Sequence, residues 1–147
     1  MKMLKLYEWI AGSMTDFTRP FRDNETLFAQ AKSFWRALES SSILLLVTFL
    51  VLGIAIAAYY YTAYNNKPGR HYKPVKWALF LAVAAIATFL VTFGIEYAIA
   101  QPKLQGAMML ETRIALGNAI YAAALYFIVS VLWCNALPTN ACRIFKF

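Results

Sequence analysis

One carboxylate stands inside a long apolar run: Glu96, four residues before the end of Val75–Ala100. A charge within a membrane-spanning helix is expensive, normally faces protein or a water-filled cavity, and marks a candidate site. Upstream of it, Ala78, Ala82, Ala85, Thr88 and Thr92 recur every three or four residues, which places all six on one helix face, small at one end and polar at the other. Asn118 lies four residues into a further apolar run, Ile114–Leu137. If the two runs form an antiparallel hairpin, Glu96 and Asn118 sit at matching depth, about 6 Å inside the apolar layer at helical rise. Thr48, in the run Ser42–Tyr64, falls in the same half. The expectation is a Glu96–Asn118 hydrogen bond, with Tyr97, Tyr121 or Thr92 nearby. Two readings follow: a proton- or cation-responsive site, or a structural bond that locks the hairpin.

No other chemistry is spelled out. HExxH, GxSxG, P-loop and paired intramembrane acids are missing from the sequence, and the single histidine, His71, has no second ligand near it. Cys134 and Cys142 lie eight apart without a CxxC, and are read as inert small hydrophobes; a small disulfide is the alternative if that side is oxidising. The chain is therefore expected to be non-enzymatic, without cofactor or metal.

The elements that position these residues are set by hydropathy. Hydrophobic residues make up 61% of the 147, and charged residues 14%, well below the roughly 25% of a soluble domain. A hydrocarbon layer about 30 Å thick needs roughly 20 apolar residues in a helix, and each run exceeds that. The fold class is thus an all-α integral membrane protein with three transmembrane helices. The domain plan is an amphipathic N-terminal region (1–41), a three-helix membrane domain (42–137, spans 42–64, 75–100 and 114–137) and a short basic-aromatic tail (138–147).

In the N-terminal region, Leu27, Phe28, Ala31, Phe34, Trp35 and Leu38 share a helix face, opposite Glu25, Gln30, Lys32, Ser33, Arg36 and Glu39. Leu27, Phe28, Phe34, Trp35 and Leu38 are expected to meet headgroup-level lipid or a partner subunit. Ser40, Ser41 and Ser42 compete with the helical backbone and predict a bend. Lys5 and Glu8 interrupt the first apolar stretch, so no cleavable leader is expected and the first span would serve as an uncleaved anchor.

The loop Asn65–Lys76 carries Lys67, Arg70, Lys73 and Lys76 and no acid. These four are expected to face lipid or a partner, and the positive-inside rule places the loop in the cytoplasm. Counting whole tails gives eight basic residues on the opposite side against six, so this rests on residues close to the spans. The net charge of +7 is assigned to lipid rather than nucleic acid, since no soluble domain presents a basic patch. The expected setting is a bacterial inner membrane or other cytoplasmic membrane.

Three spans cannot enclose a substrate path alone, and no repeat or broken helix suggests a transporter. The leading functional expectation is a non-catalytic subunit that scaffolds, anchors or regulates a larger membrane complex, for example a secretion, injection or signalling assembly. It would partner lipid and either copies of itself or other membrane subunits, with no small-molecule substrate. The alternative is an oligomeric pore or ion channel, including a membrane-permeabilising effector, with the Thr88–Thr92–Glu96 face lining the conduit.

Overall fold

A computed structural model describes residues 3–101 and 104–137. A 3-10 turn (Met3–Tyr7) leads into α1 (Glu8–Ala11), then α2 (Met14–Thr18), a second 3-10 turn (Arg19–Phe21) and α3 (Glu25–Ser40). Three long helices follow: α4 (Ser42–Tyr59), extended by a π-helical turn (Tyr60–Tyr64), α5 (Pro74–Ile99) and α6 (Ala107–Ala136). All three are long and apolar enough to cross a membrane. No strand occurs among the described residues.

The solvent preference of the three long helices is turned inside out. Large apolar side chains such as Ile43, Ile86, Leu90 and Leu132 point outward, while the inner face of α6 is built from Ala115, Gly117, Asn118, Ala119, Ala122 and Ser130. So much exposed apolar surface is stable only against lipid or another chain. Small residues on the inner face let backbones approach where water provides no drive for association. A Cβ on Gly53 of α4 would lie 3.2 Å from the Ala122 carbonyl oxygen of α6, so this glycine sets the closest approach of the two helices. Gly53 and Ala57 are both buried on the inner face of α4. Within the best apolar window, α6 is 44% buried against 22% for α4 and 17% for α5, which makes α6 the central helix.

Local chemistry explains the breaks. Asn24 caps α3 by accepting from the Thr26 and Leu27 amides. Helix α3 gives way to α4 at Ser41. There the Ser40, Ser41 and Ser42 hydroxyls donate to the carbonyls of Ala37, Leu38 and Glu39, the back-bonding that the triple serine predicted. The wide turn after Tyr59, closed by the Asn65 amide on the Tyr60 carbonyl at 2.9 Å, lets consecutive tyrosines, Tyr60 and Tyr61, both face inward.

Two expectations are corrected. Helix α6 begins at Ala107 rather than at 114, so Glu111 and Arg113 belong to a helix and not to a loop. At 30 residues it is about 45 Å long, more than the apolar layer needs, so its first turns project beyond that layer. The second correction concerns α3, whose apolar face is covered by the chain itself. Phe34, Trp35 and Leu38 join Tyr7, Ala11, Leu45, Leu110 and Ile114 in one core, with Phe17 stacked on Phe34 at 5.6 Å. Those three residues are unavailable to lipid or a partner. Leu27 remains exposed, and Phe28 lies half-buried under the Lys32 ammonium, 4.0 Å from its ring centre. Residues 102–103 and the tail from 138 onward lie outside the described residues.

Candidate functional site: a buried polar seam

The polar residues of the spans converge where the C-terminal half of α5 meets the N-terminal half of α6. Thr88, Thr92 and Glu96 follow one another at i+4 and have no exposed surface. Opposite them, Glu111 and Asn118, seven residues apart on the inner face of α6, are equally enclosed. Buried polar groups require partners, and Asn118 organises them. Its side-chain amide donates to the Leu45 carbonyl at 2.9 Å and to the Thr92 hydroxyl at 2.8 Å. Its Oδ1 accepts from the Tyr7 hydroxyl at 2.6 Å. One side chain thus ties together α4, α5, α6 and the N-terminal turn. Both amide hydrogens are taken, so Thr92, one helical turn from Glu96, occupies the place expected for the Glu96 carboxylate.

The N-terminal segment is held over this seam by a second set of contacts. The Tyr121 hydroxyl donates to the Leu6 carbonyl at 2.6 Å and accepts from the Trp9 indole at 2.7 Å. The Tyr7 ring meets Tyr121 edge-on at 5.9 Å. Room for it comes from Gly117, where a Cβ would fall 3.2 Å from Tyr7 Cδ1 and 3.3 Å from Ile10 Cγ2. Burial, and after it the nearby Glu96 charge, push the Tyr7 hydroxyl well above its ordinary pKa, so at neutral pH it is a donor.

Toward the other end of the hairpin the interior becomes aromatic. Trp77 packs on Tyr126 at 5.6 Å and donates its indole N–H to Ser130 at 3.1 Å, while Tyr61 stacks on Trp133 at 5.8 Å. Tyr60 and Tyr64 enclose Phe80. Cys134 beside Tyr61 is disulfide-bonded, which corrects the reading of an inert thiol. Cys142, the sequence's other cysteine, lies outside the described residues.

The remaining sequence-predicted residues divide. Thr48 is buried but its hydroxyl donates to Leu44 of its own helix, so it stands apart from the seam. Ala78 is exposed and Ala82 and Ala85 are half-buried; Ala84 holds the buried position. The contact follows the i+4 ridge 84–88–92–96, which winds about 40° round the helix per step, whereas the expected stripe kept a fixed direction. Lys67, Arg70, Lys73 and Lys76 are exposed, as expected for a basic loop.

Sequence reasoning missed Tyr7 and Glu111. The seven-residue spacing of Glu111 and Asn118 could have revealed the latter once the helix was extended. No local pattern marks Tyr7. Among the described residues no three His, Cys, Asp or Glu side chains gather as a metal-ligand set. The seam's chemistry is hydrogen bonding among enclosed side chains, which ties the three long helices to the N-terminal turn. No family model, no curated protein and no solved structure matches this chain.

Proposed function

We propose that this chain is a non-catalytic integral membrane subunit that scaffolds, anchors or regulates a larger membrane complex. The observation that carries the reading is the direction of its polar groups. Thr88, Thr92, Glu96 and Asn118 are enclosed within a single chain, and the N-terminal turn closes over them. A conduit between copies would need that face outward. The outer face of α5 instead offers Leu79, Val83, Ile86 and Leu90 to lipid or to an apolar partner helix. The setting fits a cytoplasmic membrane, including a bacterial inner membrane.

For orientation, the Cys134 disulfide favours an oxidising compartment at the C-terminal end of α6, the end shared with the basic loop. A covalent bond is a more specific signal than a near-even count of basic residues. On this ground the basic loop is proposed to lie on the side away from the cytoplasm, opposite to the sequence-based preference.

The test is extraction in a mild detergent, with mass determination of the intact particle, followed by liposome reconstitution. The expected result is a defined stoichiometric assembly and no ion flux. Flux that Glu96→Gln or Thr92→Leu alters would reject the subunit reading in favour of a pore.

A further inference from the structure

The geometry points to a phosphate-binding pocket at the other end of the bundle from the polar seam, in the basic loop. A cavity of about 260 Å³ opens between the π-helical end of the first span and the start of α5. Tyr64, Asn65, Arg70, His71, Lys73 and Lys76 line it, together with Gly69, and no acid is among the lining residues. The volume is that of several water molecules at about 30 Å³ each, enough for a phosphate group.

Two features distinguish this from a merely basic loop. Asn65 is only 5% exposed, yet its amide nitrogen Nδ2 has no hydrogen-bond partner. Leaving a buried donor unsatisfied is unfavourable, and an acceptor entering the cavity would satisfy this one. Arg70 is also held in place. Its guanidinium lies 4.3 Å over the Tyr64 ring and one N–H donates to the Tyr64 carbonyl at 3.0 Å. Its remaining donors keep the fork geometry that suits phosphate oxygens.

The backbone adds to the same field. Helix α5 starts with Lys73 at its N-cap and no side-chain cap, so the positive end of a 26-residue helix stands beside Lys73 and Lys76. The ligand these groups select has several acceptor oxygens, negative charge and no need for a donor partner. A phosphodiester or phosphomonoester meets that description. Tyr64 lines the cavity, an aromatic residue of the kind found at headgroup depth. The source is then the phosphate of a lipid headgroup or a free phosphate. The site does not depend on the subunit reading.

The experiment uses the full chain in a phosphate-free maltoside detergent. Binding of short-chain phosphatidylglycerol and, separately, of inorganic phosphate is measured by thermal shift and by retention in native mass spectrometry. The variants are Asn65→Asp, which keeps shape but replaces the donor with a carboxylate, Arg70→Gln paired with Lys73→Gln, and Lys67→Gln in the same loop but outside the cavity lining. Tenfold or greater weakening is expected for the first two, and less than twofold for Lys67→Gln, with circular dichroism unchanged. Loss for both ligands assigns a general phosphate site; loss for the lipid alone, with no phosphate binding, assigns the headgroup. Unchanged affinity in Asn65→Asp and the Arg70/Lys73 pair, or equal weakening by Lys67→Gln, would overturn the proposal.

Discussion

Replacing Asn118 with alanine removes three contacts at once, and their sum can be worked out. Hydrogen bonds between membrane helices contribute about 0.6 kcal/mol on average and up to about 1.7. Bonds to Tyr7, Thr92 and the Leu45 carbonyl therefore represent about 2 kcal/mol. The Tyr7 hydroxyl would then remain buried without its acceptor, adding about 1–3 kcal/mol. The Leu45 carbonyl lies within α4 and the Thr92 hydroxyl within α5, where helical backbone can partly satisfy them. Asn118→Ala is expected to destabilise the bundle by about 3–5 kcal/mol. Tyr7→Phe deletes one bond and removes the orphaned hydroxyl, so about 1 kcal/mol is expected. Because the two residues touch, the double variant should show coupling of at least about 0.5 kcal/mol. Unfolding in maltoside micelles titrated with dodecyl sulfate, followed by far-ultraviolet circular dichroism, measures all three. Strict additivity, or an Asn118→Ala variant within about 0.5 kcal/mol of the parent, would refute the role of Asn118 as the tie between the N-terminal turn and the spans.

Three further outcomes follow. Gly53→Val drives a branched side chain toward the Ala122 backbone and should destabilise by about 1–3 kcal/mol in the same titration, whereas Gly94→Val, with open space around its Cβ position, should change it by under about 0.5. The Ser13 hydroxyl, 2.6 Å from Asp16 Oδ2, and then the Ser13 backbone N–H hold the Asp16 carboxyl below the usual carboxylate range. Its contribution to the α2 cap is present above the ordinary carboxylate value and lost as pH falls through the lowered one; in Ser13→Ala, a carbon-13 titration of Asp16 should move upward, and an unchanged midpoint would rule out the cap. Finally, a bulky thiol reagent should add no mass to the denatured native protein until reductant is supplied, because Cys134 is disulfide-bonded; labelling without reductant would contradict the bond and the orientation drawn from it.

Much of the fold was legible because lipid reads a sequence coarsely. Three apolar runs defined three spans, and α4 and α5 begin within a residue of the expected positions. The start of α6 was not legible for the same reason. Hydropathy reports where the hydrocarbon layer begins, and Glu111, Thr112 and Arg113 mark that edge while remaining helical. The depth matching of Asn118 with the Thr92–Glu96 turn was readable from hairpin geometry, but the choice of Thr92 as partner depends on side-chain reach that spacing alone does not fix. The amphipathic face of α3 was visible, and what covers it was not. An apolar stripe specifies that something must bury Phe34 and Trp35, and a segment about 20 residues earlier supplies it through Phe17 and Tyr7. Asn65 offered no signal, since a buried unsatisfied donor exists only in three dimensions.

The distribution of polarity along the interior bears on function more directly than any single residue. A conduit through one chain would need groups that hold water from one face to the other. Here the half around Asn118 is polar but closed by Tyr7, whose ring occupies the space left by Gly117. The opposite half is filled by Tyr60, Tyr61, Trp77 and Tyr126, packed at ring separations of 4.9 Å between the first pair and 5.6 Å between the second. Opening a path would require moving both the N-terminal turn and an aromatic plug. The turn is held by the Tyr7 and Tyr121 hydrogen bonds, and Trp77 by its bond to Ser130. The same bonds make the bundle rigid enough to present α5 as a fixed outer surface. An enclosed polar interior and an apolar α5 face outside are what the proposed scaffold role would use, whereas the proposed alternative would need Thr88, Thr92 and Glu96 turned outward.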